Sequence, residues 1–559
     1  MPSAGGGEFC VGARMVGAQF VPSVIASVVE VHPSRAGAER ARDHGRRGKR
    51  GAAALCATLV SVAMICAGMA GCAVGPDYVP PEPPTPPTFV AAPAAKTADK
   101  TSGRTVDPAR WWRALHDREL NSLVERAVAA SPTLEIALER VQQARAQEAA
   151  IFGAALPVSE ASAGGGWGTG TDLARGRASP PLVAAETGAG VTQVVNIVGF
   201  DAAWEVDVFG KFRRAIEAAQ YDADAAIAAR NLVLISVIAD VTRAYLDLRA
   251  LQMQLAVVRK NIEVAQQYLD FVKERFSRGI TNELDVTLAQ RELSRLQSQV
   301  APLVGQIDAA RYVIAVLIGE FPERLGKELA RPGTLPALPG RIQPGLPIDL
   351  LRRRPDVVEA ERQLASATAL IGVATADLFP VVLLTAGVGH QQGVGGIPIN
   401  PIWSVGPAIA APLLDFGRLD ALVERADFRA RELLANYKQT VLAAVRDVDT
   451  AAGAYAAQQD RLRHLEEART AAMRAVSLAQ QRFDRGVTDS LNVIDAQRQQ
   501  YILEQEYVAA QASAAEQFVA LYRSLGGGWE DYQSLPPLPP PLPAIAAAFK
   551  RLWAPGPAP

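Results

Sequence analysis

The chain has 559 residues, with 57 Lys plus Arg against 58 Asp plus Glu and a formal net charge of −1. This balance argues against a nucleic-acid partner, because such a partner requires a concentrated basic face. Aromatic residues make up 6% of the chain and hydrophobic residues 49%, a composition that suits long helices better than a large compact core.

All four cysteines lie near the start of the chain: Cys10, Cys56, Cys66 and Cys72. The absence of cysteine after residue 72 excludes a disulfide framework for the rest of the chain. It also excludes a thiol nucleophile and a cysteine metal site there. The few histidines are scattered without ligand spacing, so we expect no enzyme, no cofactor and no metal.

A basic run at residues 46–50 precedes an apolar run from Ala52 to Met69, and small residues then lead to Cys72. This order is typical of a secretory signal, and the cysteine after small residues is typical of a bacterial lipoprotein box. We expect residues 1–71 to be an upstream segment and signal peptide, and Cys72 to be lipidated. A single transmembrane helix is the alternative, because the apolar run has a borderline length.

Proline-rich segments flank the body of the chain. Residues 72–108 are expected to hold the lipid anchor and an extended linker, since prolines crowd this stretch. Residues 531–559 are also rich in proline and are predicted to form a disordered tail.

The body contains an internal repeat. Residues 275–291, RFSRGITNELDVTLAQR, match residues 482–498, RFDRGVTDSLNVIDAQR, at ten of seventeen positions and an offset of 207. The tripeptide that starts at Phe209 aligns with the one that starts at Phe416 at the same offset. Matches in the same order indicate duplication.

Earlier in each half, two prolines bracket segments of equal length, now at an offset of 223: Pro132 and Pro157, and Pro355 and Pro380. The difference between the offsets predicts 16 residues of extra loop in the first half. We assign the repeats to residues 109–340 and 341–530.

Each repeat is predicted to contain one very long helix. Residues 211–278 include no Gly or Pro, and residues 418–485 include only Gly453. At about 1.5 Å per residue, such a helix reaches roughly 100 Å. Apolar residues recur at steps of three and four along both segments, which is typical of a coiled-coil seam.

Both long helices are predicted to end at an Arg-Gly turn, because Gly279 and Gly486 can adopt the left-handed conformation that closes a helix. A second helix is expected after each turn, at residues 280–301 and 487–525. Each repeat therefore forms a helical hairpin.

Four segments alternate apolar with polar or small residues, at about 157–170, 190–209, 380–392 and 402–416. This is the period of a membrane β-strand, although a half-buried soluble strand shows it too. Four strands cannot close a membrane barrel, which needs at least about eight, and open edges are not tolerated in lipid. Two or three chains must therefore share one barrel of eight or twelve strands.

Three motifs resemble the TolC/OprM-type outer-membrane factors, in their NodT-type lipoprotein branch. They are the linker PGLPIDLLRRRPD at residues 344–356, the DFGR at residues 415–418 and the two Arg-Gly bends. The likeness covers roughly residues 73–530. It implies a mainly α fold with membrane β, in which a homotrimer shares a twelve-strand outer-membrane barrel continued by a helical tunnel through the periplasm.

The resemblance also implies partners. A periplasmic adaptor (membrane fusion protein) and an inner-membrane RND-type pump would complete a tripartite efflux system. The chain itself would be a passive gated duct, bound to outer-membrane lipid, that exports small molecules such as drugs, solvents or aromatic compounds. A type I secretion duct and a structural coiled-coil lipoprotein are the alternatives.

Site residues follow from the same likeness. Leu491 and Asp495 match the gate segment and share a helix face, so three Asp495 carboxylates would form a ring that favours cations. Asn492 stands where some relatives carry a second acid, and a plain solvated charge is the alternative for Asp495. Arg278, Gly279, Arg485 and Gly486 are expected at the adaptor contacts, although helix capping alone explains such bends.

Overall fold

The computed structural model describes residues 73–82, 89, 106–169, 192–339, 353–394, 400–485, 487–488 and 490–534. The first group of helices is α1 Arg118–Ala130, α2 Pro132–Ala154, α3 Lys211–Ser277, α4 Glu283–Gln297, α5 Val300–Leu317 and α6 Pro322–Glu328. The later helices are α7 Pro355–Ala376, α8 Arg418–Asp484 and α9 Ser490–Ser524. The strands are β1 Val158–Thr169, β2 Thr192–Val206, β3 Val381–Val394 and β4 Asn400–Ala410.

The two long helices share their length and, at an offset of 207, their ends. Both α3 and α8 contain 67 residues. Each follows a glycine in the left-handed conformation, with φ of 83° at Gly210 and 82° at Gly417. A side chain with a Cβ is strained at such angles, so glycine lets the chain turn from strand into helix. The predicted duplication of long helical hairpins is confirmed.

The two closing helices differ. Helix α9 is continuous over 35 residues, whereas its repeat equivalent is divided into α4 and α5. Pro302 explains the break, because its nitrogen cannot donate to the carbonyl of Ser298 and its ring crowds that carbonyl. Helix α9 has Ala509 at the equivalent position. The expectation that this helix ends near residue 301 is wrong, since it resumes as α5 and buries Ile314 in the core.

The four strands form one antiparallel sheet in the order β1-β2-β3-β4. Within the described residues, the outer edges of β1 and β4 have no partner strand. Unpaired backbone groups are not tolerated in lipid, so these edges must pair with other copies of the chain. Since each chain supplies four strands, a trimer supplies twelve.

The register places apolar side chains on one face of the sheet. Phe200, Val388 and Trp403 are cross-strand neighbours and are 64%, 57% and 74% exposed. The adjacent row turns Asp201 and Ser404 to the other face, on either side of a glycine in β3. One face thus suits lipid and the other an aqueous lumen.

The largest buried cluster joins the two repeats. Trp111, from a 3₁₀ helix before α1, stacks on Tyr522 of α9 with ring centroids 5.5 Å apart, and it meets Phe518 edge to face. Tyr245 of α3 lies in the same cluster. By length and composition, two described helical stretches could cross a membrane, Lys211–Ser277 and Glu283–Leu317. The most apolar stretch of the first is 61% buried, as expected of a core helix.

Residues 73–82 run as an extended chain against the start of α3. The backbone N–H of Val74 donates to the carbonyl of Phe209 at 3.1 Å. The side chain of Arg214, only 7% exposed, donates to the carbonyl of Val74 at 3.3 Å and pairs with Asp77 at 2.6 Å. The described start of the linker is therefore held on the body, next to the junction of β2 and α3.

The end of the linker motif connects α7 to the second hairpin, while residues 344–352 of that motif lie outside the described residues. The guanidinium of Arg354 is buried, forms a bidentate pair with Asp356 at 2.6 and 3.0 Å, and donates to the carbonyl of Ser524 at 2.7 Å. One buried arginine thus ties the start of α7 to the end of α9.

Candidate functional site

The first hairpin bend is closed by backbone geometry. The N–H of Gly279, which has φ of 69°, donates to the carbonyl of Phe276 at 2.9 Å. The N–H of Ile280 reaches back to the carbonyl of Arg275 at 2.9 Å. This pattern is a Schellman closure, in which glycine supplies the left-handed residue. Arg278 is exposed and pairs with Glu274 on the preceding turn.

The second bend has the longer-range hydrogen bond of this closure. The N–H of Val487 donates to the carbonyl of Arg482 at 2.9 Å, as its repeat equivalent does in the first bend. Arg485 directly follows the last residue of α8 and is exposed. Gly486 lies outside the described residues, and so does Cys72. The structure therefore positions Arg278, Gly279 and Arg485 at the two bends.

Each bend exposes a pair of large apolar side chains at equivalent positions. Ile280 and Leu284 are 57% and 62% exposed in the first hairpin. Val487 and Leu491 are 62% and 59% exposed in the second. Apolar side chains with this exposure on both bends form a repeated patch, which is typical of a surface that docks a partner or packs in an assembly.

The predicted gate residues lie on the first turns of α9. Leu491 and Asp495 are one turn apart and both are exposed, whereas Val493 between them is fully buried. Leu284 occupies the equivalent position to Leu491 in the first hairpin, and it was missed although the offset of 207 identifies it. The same offset shows that Asp285 stands where the second repeat has Asn492.

Farther from the bends, the two hairpins meet at the break between α4 and α5. The Tyr501 hydroxyl of α9 donates to the side-chain oxygen of Gln299, which lies in the break. Tyr501 is 8% exposed, and the Arg295 guanidinium lies 5.7 Å from its ring centroid. A hydrogen bond from Arg295 at 2.6 Å holds the pKa of the Glu292 carboxyl below its usual value, with help from Arg291 and Arg498.

The described residues contain no group of three or more His, Cys, Asp or Glu side chains that could hold a metal ion. The chemistry available at the bends is therefore that of apolar contact, charge and hydrogen bonding. Together with a sheet that has two open edges, duplicated hairpins of this length define a channel shared between chains of an outer-membrane protein.

Comparison with known proteins identifies the family. The model of the outer membrane efflux protein family matches residues 123–320 and 346–527, and the chain belongs to this family. It is 30% identical over 469 residues to Nodulation protein T of Rhizobium leguminosarum bv. viciae, covering 82% of this chain and 92% of that protein. It is 33% identical over 446 residues to the pyoverdine export outer membrane protein OpmQ of Pseudomonas putida, covering 79% and 93%.

A solved structure agrees with the fold. The outer-membrane channel OprN superposes with a TM-score of 0.72 at 34% sequence identity, covering 82% of this chain and 100% of that one. The chain is therefore an outer-membrane channel of the trimeric efflux type. It is a passive duct of a tripartite efflux system and not an enzyme, as the sequence predicted. The predicted NodT-type resemblance and outer-membrane location are also confirmed.

Proposed function

We propose that the two hairpin bends are the docking surface for a periplasmic adaptor, and that an RND-type pump in the inner membrane feeds the duct through it. The observation that carries this proposal is the pair of equivalent bends, each with exposed apolar side chains. Ile280 and Val487 flank the bends, with Arg278 and Arg485 beside them. Gly279 supplies the left-handed residue of the first tight turn.

The gate is assigned to the level just inside the bends. In a trimer, three copies of Leu491 narrow the lumen and three Asp495 carboxylates form an acidic ring. Exposure of both side chains on one face of α9 supports this assignment. Leu284 adds a second apolar position at the same level of the first hairpin.

The lipid anchor is assigned to Cys72. The contact that supports it is made by the neighbouring segment, since the N–H of Val74 bonds to Phe209 where the membrane strand β2 passes into helix α3. Acyl chains on a residue close to this junction would enter the lipid beside the barrel.

The cargo is assigned to small molecules, such as drugs, solvents or aromatic compounds. A relative of this chain is named for export of pyoverdine and another for efflux of toluene. A passive duct contributes little selection of its own, so pump and adaptor set the choice among these compounds.

The docking proposal is tested by photo-crosslinking in the native cell. A benzophenone amino acid replaces Ile280 or Val487, and Phe416 near the membrane end, 98% exposed, is the matched control. Both bend positions are expected to form adducts with a protein that mass spectrometry identifies as a periplasmic adaptor, and the control is not. Adaptor adducts from Phe416 alone, or none from either bend, would overturn the proposal.

A further inference from the structure

The distal ends of the two long helices touch within one chain through an aromatic and cationic contact. The rings of Phe271 in α3 and Phe483 in α8 meet edge to face with centroids 5.9 Å apart. The Arg275 guanidinium lies 4.9 Å from the Phe483 centroid and 5.7 Å from that of Phe271. Phe483 is 7% exposed in consequence. This is a junction between the two hairpins of one subunit, in which Phe483 is buried and Phe271 remains 38% exposed.

Each of the three residues in this junction has an equivalent in the other repeat, 207 residues away, that is not part of the junction. These equivalents are Leu478 for Phe271, Arg482 for Arg275 and Phe276 for Phe483. Leu478 is 51% exposed, Phe276 is 46% exposed and Arg482 is exposed. The chain therefore carries a second copy of the same contact surfaces, separated onto the free sides of its two hairpins.

The trimer brings such free sides together. Each chain contributes two hairpins, so three chains place six hairpins around the lumen. Every hairpin then has one neighbour in its own chain and one in the next chain. A ring of repeated units closes by using one head-to-tail contact again and again. The contact between subunits should therefore repeat the contact seen within the subunit, with equivalent residues.

We propose that Leu478 and Arg482 of one subunit pack on Phe276 of the partner subunit, as the inter-subunit counterpart of the junction inside each chain. The partner surface is thus a second copy of this chain. Apolar and cationic groups on one side meet an aromatic ring on the other, as in the internal junction.

One substitution makes the two kinds of junction unequal. The internal junction has the edge-to-face pair of Phe271 with Phe483, whereas Leu478 replaces the first ring at the inter-subunit junction. An aromatic pair contributes attraction beyond the area that it buries, and leucine does not supply it. The inter-subunit junctions are therefore the weaker ones, and the ring of hairpins separates there first.

Crosslinking tests the contact in the full chain, which has no cysteine after residue 72. The double variant Phe276→Cys with Leu478→Cys is treated with a short thiol-to-thiol crosslinker and run on a denaturing gel. Covalent dimers and trimers are expected. The control Phe271→Cys with Phe483→Cys is expected to crosslink within the monomer. The mismatched pair Phe271→Cys with Leu478→Cys, which joins equivalent sides, is expected to give neither product.

Oligomers from the mismatched pair, or none from the first pair while the internal control reacts, would overturn the proposal. Single-cysteine variants show what Cys72 alone contributes. A failure here leaves adaptor docking and the Asp495 gate untouched, because neither depends on which side chains meet between subunits.

Single-channel conductance tests whether the inter-subunit junction is weaker than the junction within the subunit. The variant Leu478→Phe supplies the missing ring and is expected to lower the open probability in planar bilayers by about fivefold, the size expected of one aromatic pair. Phe271→Leu, which makes the internal junction equally weak, is expected to raise it. An unchanged or higher open probability in Leu478→Phe would contradict the weaker-junction assignment.

Discussion

Gly210 and Gly417 lie 207 residues apart and have the same left-handed backbone, with φ of 83° and 82°, at the points where the sheet passes into the two long helices. Their surroundings differ. A Cβ on Gly210 would lie 2.7 Å from the Cα of Ala73, whereas a Cβ on Gly417 would have nothing within 4 Å. The segment after Cys72 therefore packs on only one of two equivalent corners.

This difference predicts unequal costs for the same substitution. Gly417→Ala is expected to lower the free energy of unfolding by about 1 to 2 kcal/mol, from backbone strain alone. Gly210→Ala carries the same strain and also displaces Ala73, so it is expected to cost more. Thermal unfolding of the two purified variants measures the order. Equal losses would show that the segment does not pack on Gly210.

Arg354 and Arg353 are adjacent in the linker, but only Arg354 is buried, so the same substitution at the two positions can be compared. Arg354→Met leaves Asp356 without its bidentate partner and the carbonyl of Ser524 without a donor, so a loss of about 2 kcal/mol is expected. The adjacent Arg353 is exposed, and its backbone carbonyl accepts from Trp529, so Arg353→Met is expected to have little effect. Chemical denaturation distinguishes the two. Similar midpoints would contradict the role assigned to Arg354.

Asp247 gives a pH dependence. Burial, and then the neighbouring Glu516, raise the pKa of its carboxyl to about 6. The folded state therefore holds this proton more tightly than the unfolded chain, and its stability falls as pH rises from about 4 through about 6. Asp247→Asn is expected to stabilise the protein at pH 8 by roughly 1 kcal/mol, after allowance for solvent screening, and much less at pH 4. A gain that is the same at both pH values would contradict the shifted pKa.

The break between α4 and α5 predicts a change in the contact between hairpins. Pro302→Ala restores the missing backbone donor, so the helix is expected to run straight through Ser298 as α9 does through Gln505. The hydrogen bond from the Tyr501 hydroxyl to the Gln299 side chain would then be lost. Far-ultraviolet circular dichroism should show added helix, and a double-mutant cycle with Tyr501→Phe should show the lost coupling. Retention of that coupling in Pro302→Ala would show that proline does not set the break.

Much of this architecture is readable in the sequence, because the repeat constrains it twice. The glycines at 210 and 417 and the bend at 279 define both ends of the helices, and strand alternation defines the four strands. Pro302 was visible too, but local rules could not show that the helix resumes, since core packing of Ile314 carries it past the break.

Long-range contacts were not readable from local pattern. The hydrogen bond from the Arg214 side chain to the carbonyl of Val74 joins residues 140 positions apart. No spacing rule in the sequence indicates this contact. The exposed Leu284 is a different case, because the family likeness points to a gate segment in the second repeat alone. The offset of 207 carries Leu491 onto Leu284, so the repeat itself identifies this residue.

Ion selectivity of the purified trimer tests the central claim most directly, that the duct narrows at Asp495 just inside the bends. The reversal potential is measured in a KCl gradient across a planar bilayer, for the wild type and for Asp495→Asn. Asp460→Asn, on an exposed part of α8, is the control. We predict a cation-selective wild type and control, and a variant that loses most of that preference. A variant with unchanged conductance and selectivity would contradict the gate at Asp495.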